Sequence, residues 1–199
     1  MTPAKPLAGR TALVLGVERP AGRAAAVALA EAGANVAVVT LTEDTPAEFA
    51  ANSTANEFWA IGGRGIALTS DSGEATVRGA IAAATAELGP VSIVVWHARA
   101  PLPREALGAL RSDPAVVVLV AADAPPDEAR ALFAWVRELA DAGLRANALA
   151  ASRAQFDVAA SLLKEHQPPL PMDVAAAVAY LASDATAAVE GAVVVAAEG

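Results

Sequence analysis

Short apolar runs alternate along the chain with longer segments of helical periodicity. Residues 11–15, 35–40, 65–68, 91–95, 116–120, 144–150 and 193–197 read as seven strands. Most are continuous apolar runs without polar alternation, as in a parallel sheet covered on both faces. The segments between them carry helix starts and stops. Residues 22–32 are Ala-rich and closed by Gly33, and residues 43–60 open on acids and Pro46 and stop at Gly62-Gly63. Asp71-Ser72-Gly73-Glu74 opens a helix that runs to Leu88 and ends at Gly89-Pro90. Ala124-Pro125-Pro126-Asp127 opens another, with Leu132, Phe133, Val136 and Leu139 on one face and Gly143 at its end. A short helix over 154–165, a Pro-rich loop over 167–171 and a helix over 172–183 complete the pattern. Between the fourth and fifth strands, Pro101, Pro103 and Pro114 leave room only for a short helix near residues 104–110. Alternating strands and helices predict an α/β fold: one Rossmann-like domain over residues 1–199, a doubly wound parallel sheet with helices on both faces. Right-handed crossovers then place any ligand at the C-terminal ends of the strands.

Composition narrows the function. The chain has 199 residues, is 55% apolar, carries a net charge of −8 and has no cysteine. Disulfides, thiol catalysis and Cys-ligated metals are excluded. The acidic balance argues against nucleic acid as a partner. No apolar run approaches the ~18 residues of a membrane span, and the start of the chain does not read as a signal peptide. The expectation is a cytoplasmic protein with no membrane partner.

The candidate chemistry is in the first strand–turn–helix, Leu13-Val-Leu-Gly16-Val-Glu-Arg19-Pro20-Ala21-Gly22. Free N–H groups and the positive dipole end of the following helix suit a pyrophosphate there. The three-glycine fingerprint is incomplete, because Pro20 stands at the middle position and removes an N–H donor. Arg19 reads either as a phosphate contact or as a solvated loop residue. His97, at the end of the fourth strand, reads either as a hydrogen-bonded buried residue or as an acid–base group. Trp96 reads as a core aromatic and, compatibly with that, as a plug in the ligand crevice.

Nearly the whole chain resembles a short-chain dehydrogenase/reductase. Gly16 and Gly22 match the family's Thr-Gly-x-x-x-Gly-x-Gly turn, and Asp71 follows the third strand where the family has an adenine-contacting Asp. Gly143-Leu-Arg145-Ala-Asn147 resembles Gly-Ile-Arg-Val-Asn. The segment from Asp173 to Asp184, followed by Glu190-Gly191 and valines, resembles the family's last helix and strand. The resemblance implies NAD or NADP as cofactor, held by Gly16, Arg19, Ala21, Gly22, Asp71, Ser72 and Ala98. It implies a homo-oligomer, or a hetero-oligomer with a full-length relative, through the segment from Met172 to Ala197.

The departures matter as much. Trp96-His97-Ala98-Arg99 stands where the family has Asn-Asn-Ala-Gly, and the domain is shortened between the fourth and sixth strands. There is no Tyr-x-x-x-Lys, and the one tyrosine is Tyr180. Counted back from Arg145, the family's Tyr and Lys positions fall near Ala121 and Pro125, which carry no transferable proton. No catalytic residue is therefore assigned, and any cofactor binding is expected to be weak. The reading is a non-catalytic structural or regulatory subunit. The alternatives are an oxidoreductase with an unconventional site and a binder of another nucleotide or small ligand.

Overall fold

The computed structural model describes residues 5–69, 73–97, 99–102, 104–110, 114–121, 124–151 and 172–195. Seven strands are found: β1 (Thr11–Leu15), β2 (Asn35–Thr40), β3 (Gly65–Thr69), β4 (Val91–Trp96), β5 (Ala115–Ala121), β6 (Arg145–Ala151) and β7 (Val193–Val195). They form one all-parallel sheet in the order β3-β2-β1-β4-β5-β6-β7. The helices are α1 (Pro20–Glu31), α2 (Thr45–Ala60), α3 (Glu74–Leu88), α4 (Pro126–Asp141) and α5 (Met172–Ala182). This is the doubly wound arrangement, with the order reversing between β1 and β4.

Strand alternation divides the core between two faces. Val14, Val38, Val95, Val117 and Leu149 point to the layer of α1, α2 and α5, where they meet Leu29, Phe58 and Val178. Leu13, Leu15, Val94, Trp96 and Val118 point the other way, onto Ile81 of α3 and Leu132, Trp135 and Leu139 of α4. Both faces are covered, which is why the strands read as unbroken apolar runs.

Helix termini account for several boundaries. Asp44 caps α2, its carboxylate accepting from Ala47 N at 2.8 Å. α1 starts at Pro20, two residues before the predicted position, because proline fits a first helical turn whose N–H would lack an intrahelical acceptor. β3 and β5 each run slightly further than the apolar pattern indicated. Between β4 and β5 the predicted helix is a single 3₁₀ turn, Arg104–Leu107. The predicted helix over 154–165, the loop over 167–171 and the end of the last predicted strand lie outside the described residues.

The strand N-terminal edge is clamped by side chains. Arg10 Nη1 donates to Ala182 O at 2.8 Å and to Asp184 Oδ1 at 3.3 Å. Buried Arg145 Nη1 donates to Ser183 O at 2.6 Å. Two cations thus bind the C-terminal end of α5, where the helix dipole favours them. Asn147 Nδ2 donates to Val189 O, and its Oδ1 accepts from Ala192 N, fixing the approach to β7.

Candidate functional site

The β1–α1 turn sits at the strand C-terminal edge, where the strand order reverses. Gly16 has φ 91°, and a Cβ there would lie 2.4 Å from His97 O. A Cβ on Gly22 would lie 2.2 Å from Gly16 O. The turn is therefore packed backbone against backbone: α1 starts on the turn, and the turn rests on the end of β4. Gly16 N donates to Val39 O, and His97 N donates to Leu15 O, tying the ends of β2, β1 and β4 together. Only glycine satisfies these approaches.

No side chain caps the start of α1. Ala21 and Gly22 lie in its buried first turn. Arg19 immediately precedes the helix and folds across the crevice, with Nη1 donating to His97 O at 3.3 Å. Neither reading of Arg19 from sequence anticipated this contact. Glu18 was also missed: its Oε2 accepts from Leu41 N at 3.3 Å, so a carboxylate closes the end of β2. Gly16, Arg19, Ala21 and Gly22 lie together at the β1–α1 turn. Asp71, Ser72 and Ala98 lie outside the described residues.

His97 is buried, with 7% of its surface exposed. Burial and, secondarily, the Arg19 guanidinium push its pKa down to about 3, so the ring is neutral near pH 7. It does not face an open cleft as an available acid. Trp96 is 1% exposed and points away from the turn, into the α3–α4 face. Its Nε1 donates to Ala100 O at 3.0 Å, and its ring meets Trp135 edge-on at 5.9 Å. Of the two compatible readings the core one holds: Trp96 fills the core beneath the β4–β5 crossover, with Leu102, Ala106 and Leu107. A hollow of about 580 Å³ beside Leu102, Trp135 and Leu139 opens on this same face, away from the turn.

Tyr180 is 60% exposed on α5. It lies one turn before Ala182 and Ser183, whose carbonyls receive Arg10 and Arg145 at the opposite edge of the sheet. It is remote from the turn. At the strand C-terminal edge, Ala121 ends β5 and Pro125 precedes α4. Among the described residues no group of three or more His, Asp or Glu is placed to hold a metal ion. No helix among them is long and apolar enough to cross a membrane.

No protein-family model and no curated protein matches the chain. Solved structures do. A blue fluorescent protein from a metagenomic library, in complex with NADPH, superposes with TM-score 0.75 at 22% identity, over 96% of this chain and 97% of its own. A hydroxysteroid dehydrogenase from Escherichia coli superposes with TM-score 0.77 at 21% identity, over 97% of each chain. A short-chain dehydrogenase from Mycobacterium paratuberculosis, bound to NAD, gives 0.73 at 20% identity, over 98% of each. The fold is that of the short-chain dehydrogenases/reductases.

Proposed function

We propose that this chain is a short-chain dehydrogenase/reductase-like protein without hydride-transfer activity, acting as a structural or regulatory subunit. The observation that carries the reading is the state of His97. Carbonyl reduction needs a proton donor that is substantially protonated near working pH. Among the described residues, the titratable ring at the turn is that of His97, buried with its pKa near 3. The family's tyrosine and lysine are expected near Ala121 and Pro125, which carry no transferable proton, and Tyr180 is at the other edge.

The fit to a nicotinamide dinucleotide divides into two halves. The first-turn amides of α1 and the N-terminal dipole suit a pyrophosphate, with Gly16, Ala21 and Gly22 forming the cradle and Arg19 beside it. Pro20 withdraws one donor, a loss of about 1.5–3 kcal/mol for a bond to a charged group, or about ten- to a hundredfold in affinity. Glu18 opposes a 2′-phosphate near the end of β2. Among the described residues, the nicotinamide half meets no available proton donor. Solved neighbours are bound to NADPH or NAD, which supports asking the question of this chain. Calorimetric titration with NADH and with NADPH tests the reading: dissociation constants near millimolar or no heat are expected. Micromolar binding of either removes the weak-binding part of the proposal. It also favours the alternative of an oxidoreductase with an unconventional site.

The subunit role places assembly on the segment from Met172 to Ala197, as a homo-oligomer or with a full-length relative. Exposed Tyr180, Val193 and Val195 support it. Val195→Asp is expected to reduce the assembled mass in light scattering, and an unchanged mass contradicts this interface.

A further inference from the structure

We propose that β3 is a self-association edge, pairing antiparallel with β3 of a second copy about a two-fold axis at Ala67. This goes beyond the C-terminal interface above, which lies at the opposite edge of the sheet.

The first observation is the edge itself. Among the described residues β3 pairs only with β2, so one side of it is open there. Val36 N donates to Arg64 O, and the parallel register Val36↔Gly65, Val38↔Ala67 continues the ladder. In such a ladder alternate residues direct both backbone groups to the partner. Arg64, Ile66 and Leu68 turn inward, so Gly65, Ala67 and Thr69 present N–H and C=O to the open side. Edge strands are usually protected by charge, proline, a bulge or short length. Gly-Ile-Ala-Leu-Thr carries no charge and no proline and has no register shift against β2. The other edge strand, β7, is three residues long.

The second observation is self-complementarity, which makes a second copy the occupant. A two-fold at Ala67 pairs Ala67 with Ala67 and Gly65 with Thr69. All are residues that present their backbone groups outward, and each such pair exchanges two hydrogen bonds. Ile66 then lies across from Leu68 on the α3 face. An isologous interface requires this kind of palindromic match.

The third observation is what flanks the strand. α2 packs over β2 and β3. With strands about 4.8 Å apart, the two α2 helices come within the 8–10 Å of direct packing. The flank of α2 carrying Glu57, which pairs with Arg23 of α1, is turned away from the edge. The opposite flank carries Glu48, Asn52, Ala55 and Trp59 at helical spacing. Trp59 is 74% exposed and lines a groove of about 340 Å³ beside Ile66. A second groove, about 440 Å³, runs beside Leu68 over Ala75, Gly79 and Ala83. The two-fold stands perpendicular to the sheet and sets the Trp59 end of each α2 beside the Glu48 end of the other.

Cysteine cross-linking tests this in the full chain, which has no cysteine of its own. Ala67→Cys places two thiols across the axis, with Cα atoms about 5.5 Å apart. Thr69→Cys places its two thiols about 13 Å apart along the strands, beyond disulfide reach. Under mild oxidation Ala67→Cys is expected to form covalent dimer at least tenfold faster than Thr69→Cys. Thr69→Lys, an exposed change, is expected to abolish that cross-link when combined with Ala67→Cys. The comparison is repeated with Val195→Asp present, so loss of the C-terminal interface leaves the β3 result standing. Equal rates for the two cysteines overturn the proposal. So does a dimer indifferent to Thr69→Lys, or an edge taken up only by a different protein.

Discussion

Gly16→Ala is the sharpest test of how the turn is built. The residue sits at φ 91°, where a Cβ costs about 1–2 kcal/mol. That Cβ would lie 2.4 Å from His97 O, a backbone atom at the end of a central strand. His97 N is bonded to Leu15 O, so the carbonyl cannot swing away without breaking the β1–β4 register. Overpacking of this kind adds about 1–3 kcal/mol. The sum is about 2–5 kcal/mol, or a fall in Tm of about 5–15 °C for a chain of this size. Gly79→Ala is the internal comparison: a helix interior position with no heavy atom within 4 Å of the added carbon. It is expected to raise Tm by about 2–4 °C through helix propensity. Both are read by calorimetric melting of the protein alone, without any nucleotide. A Gly16→Ala melting point within about 1 °C of the parent would show that the turn does not rest on β4, and the reasoning would fail.

Two further outcomes follow from the same geometry. His97 titrates near 3 when folded and near 6.5 when unfolded. The unfolded chain therefore binds the extra proton across that window, and stability falls as pH drops below 6.5, by about 1.4 kcal/mol per unit. Unfolding free energies from urea titrations at pH 6.5 and 5 should differ by about 2 kcal/mol more in the parent than in His97→Gln, and equal differences would contradict a buried neutral ring. For the paired tryptophans, Trp96→Ala should destabilise by about 3–5 kcal/mol. A double-mutant cycle with Trp135→Ala should return a coupling of about 0.5–1.5 kcal/mol, and additivity would show that the edge-on contact contributes nothing.

The backbone plan was legible because both faces of the sheet are covered. Continuous apolar runs such as Leu13–Leu15 and Val116–Val120 admit few other readings, and the glycine and proline stops fall where helices end. The turn was legible because Gly16 and Gly22 are required by backbone contact whether or not a ligand binds. What did not show was side-chain direction. Trp96 could have been assigned to the core by counting alternation from Val94, since both share the α3–α4 face. The contacts of Arg19 to His97 O and of Glu18 to Leu41 N join segments distant in sequence, and no local pattern encodes them. Arg145 and Asn147 were visible only as part of a resemblance. Their partners, Ser183, Val189 and Ala192, show that they hold the last helix and strand in place.

The central claim is that the site no longer transfers hydride, and turnover at saturating cofactor tests it most directly. The protein is mixed with NADH or NADPH at several millimolar and a panel of ketones and aldehydes, and loss of reduced-nicotinamide absorbance is followed. No oxidation above the protein-free rate is predicted across pH 5–8. Carbonyl-dependent oxidation that disappears in His97→Gln would contradict the account and make His97 the proton donor that its burial argues against.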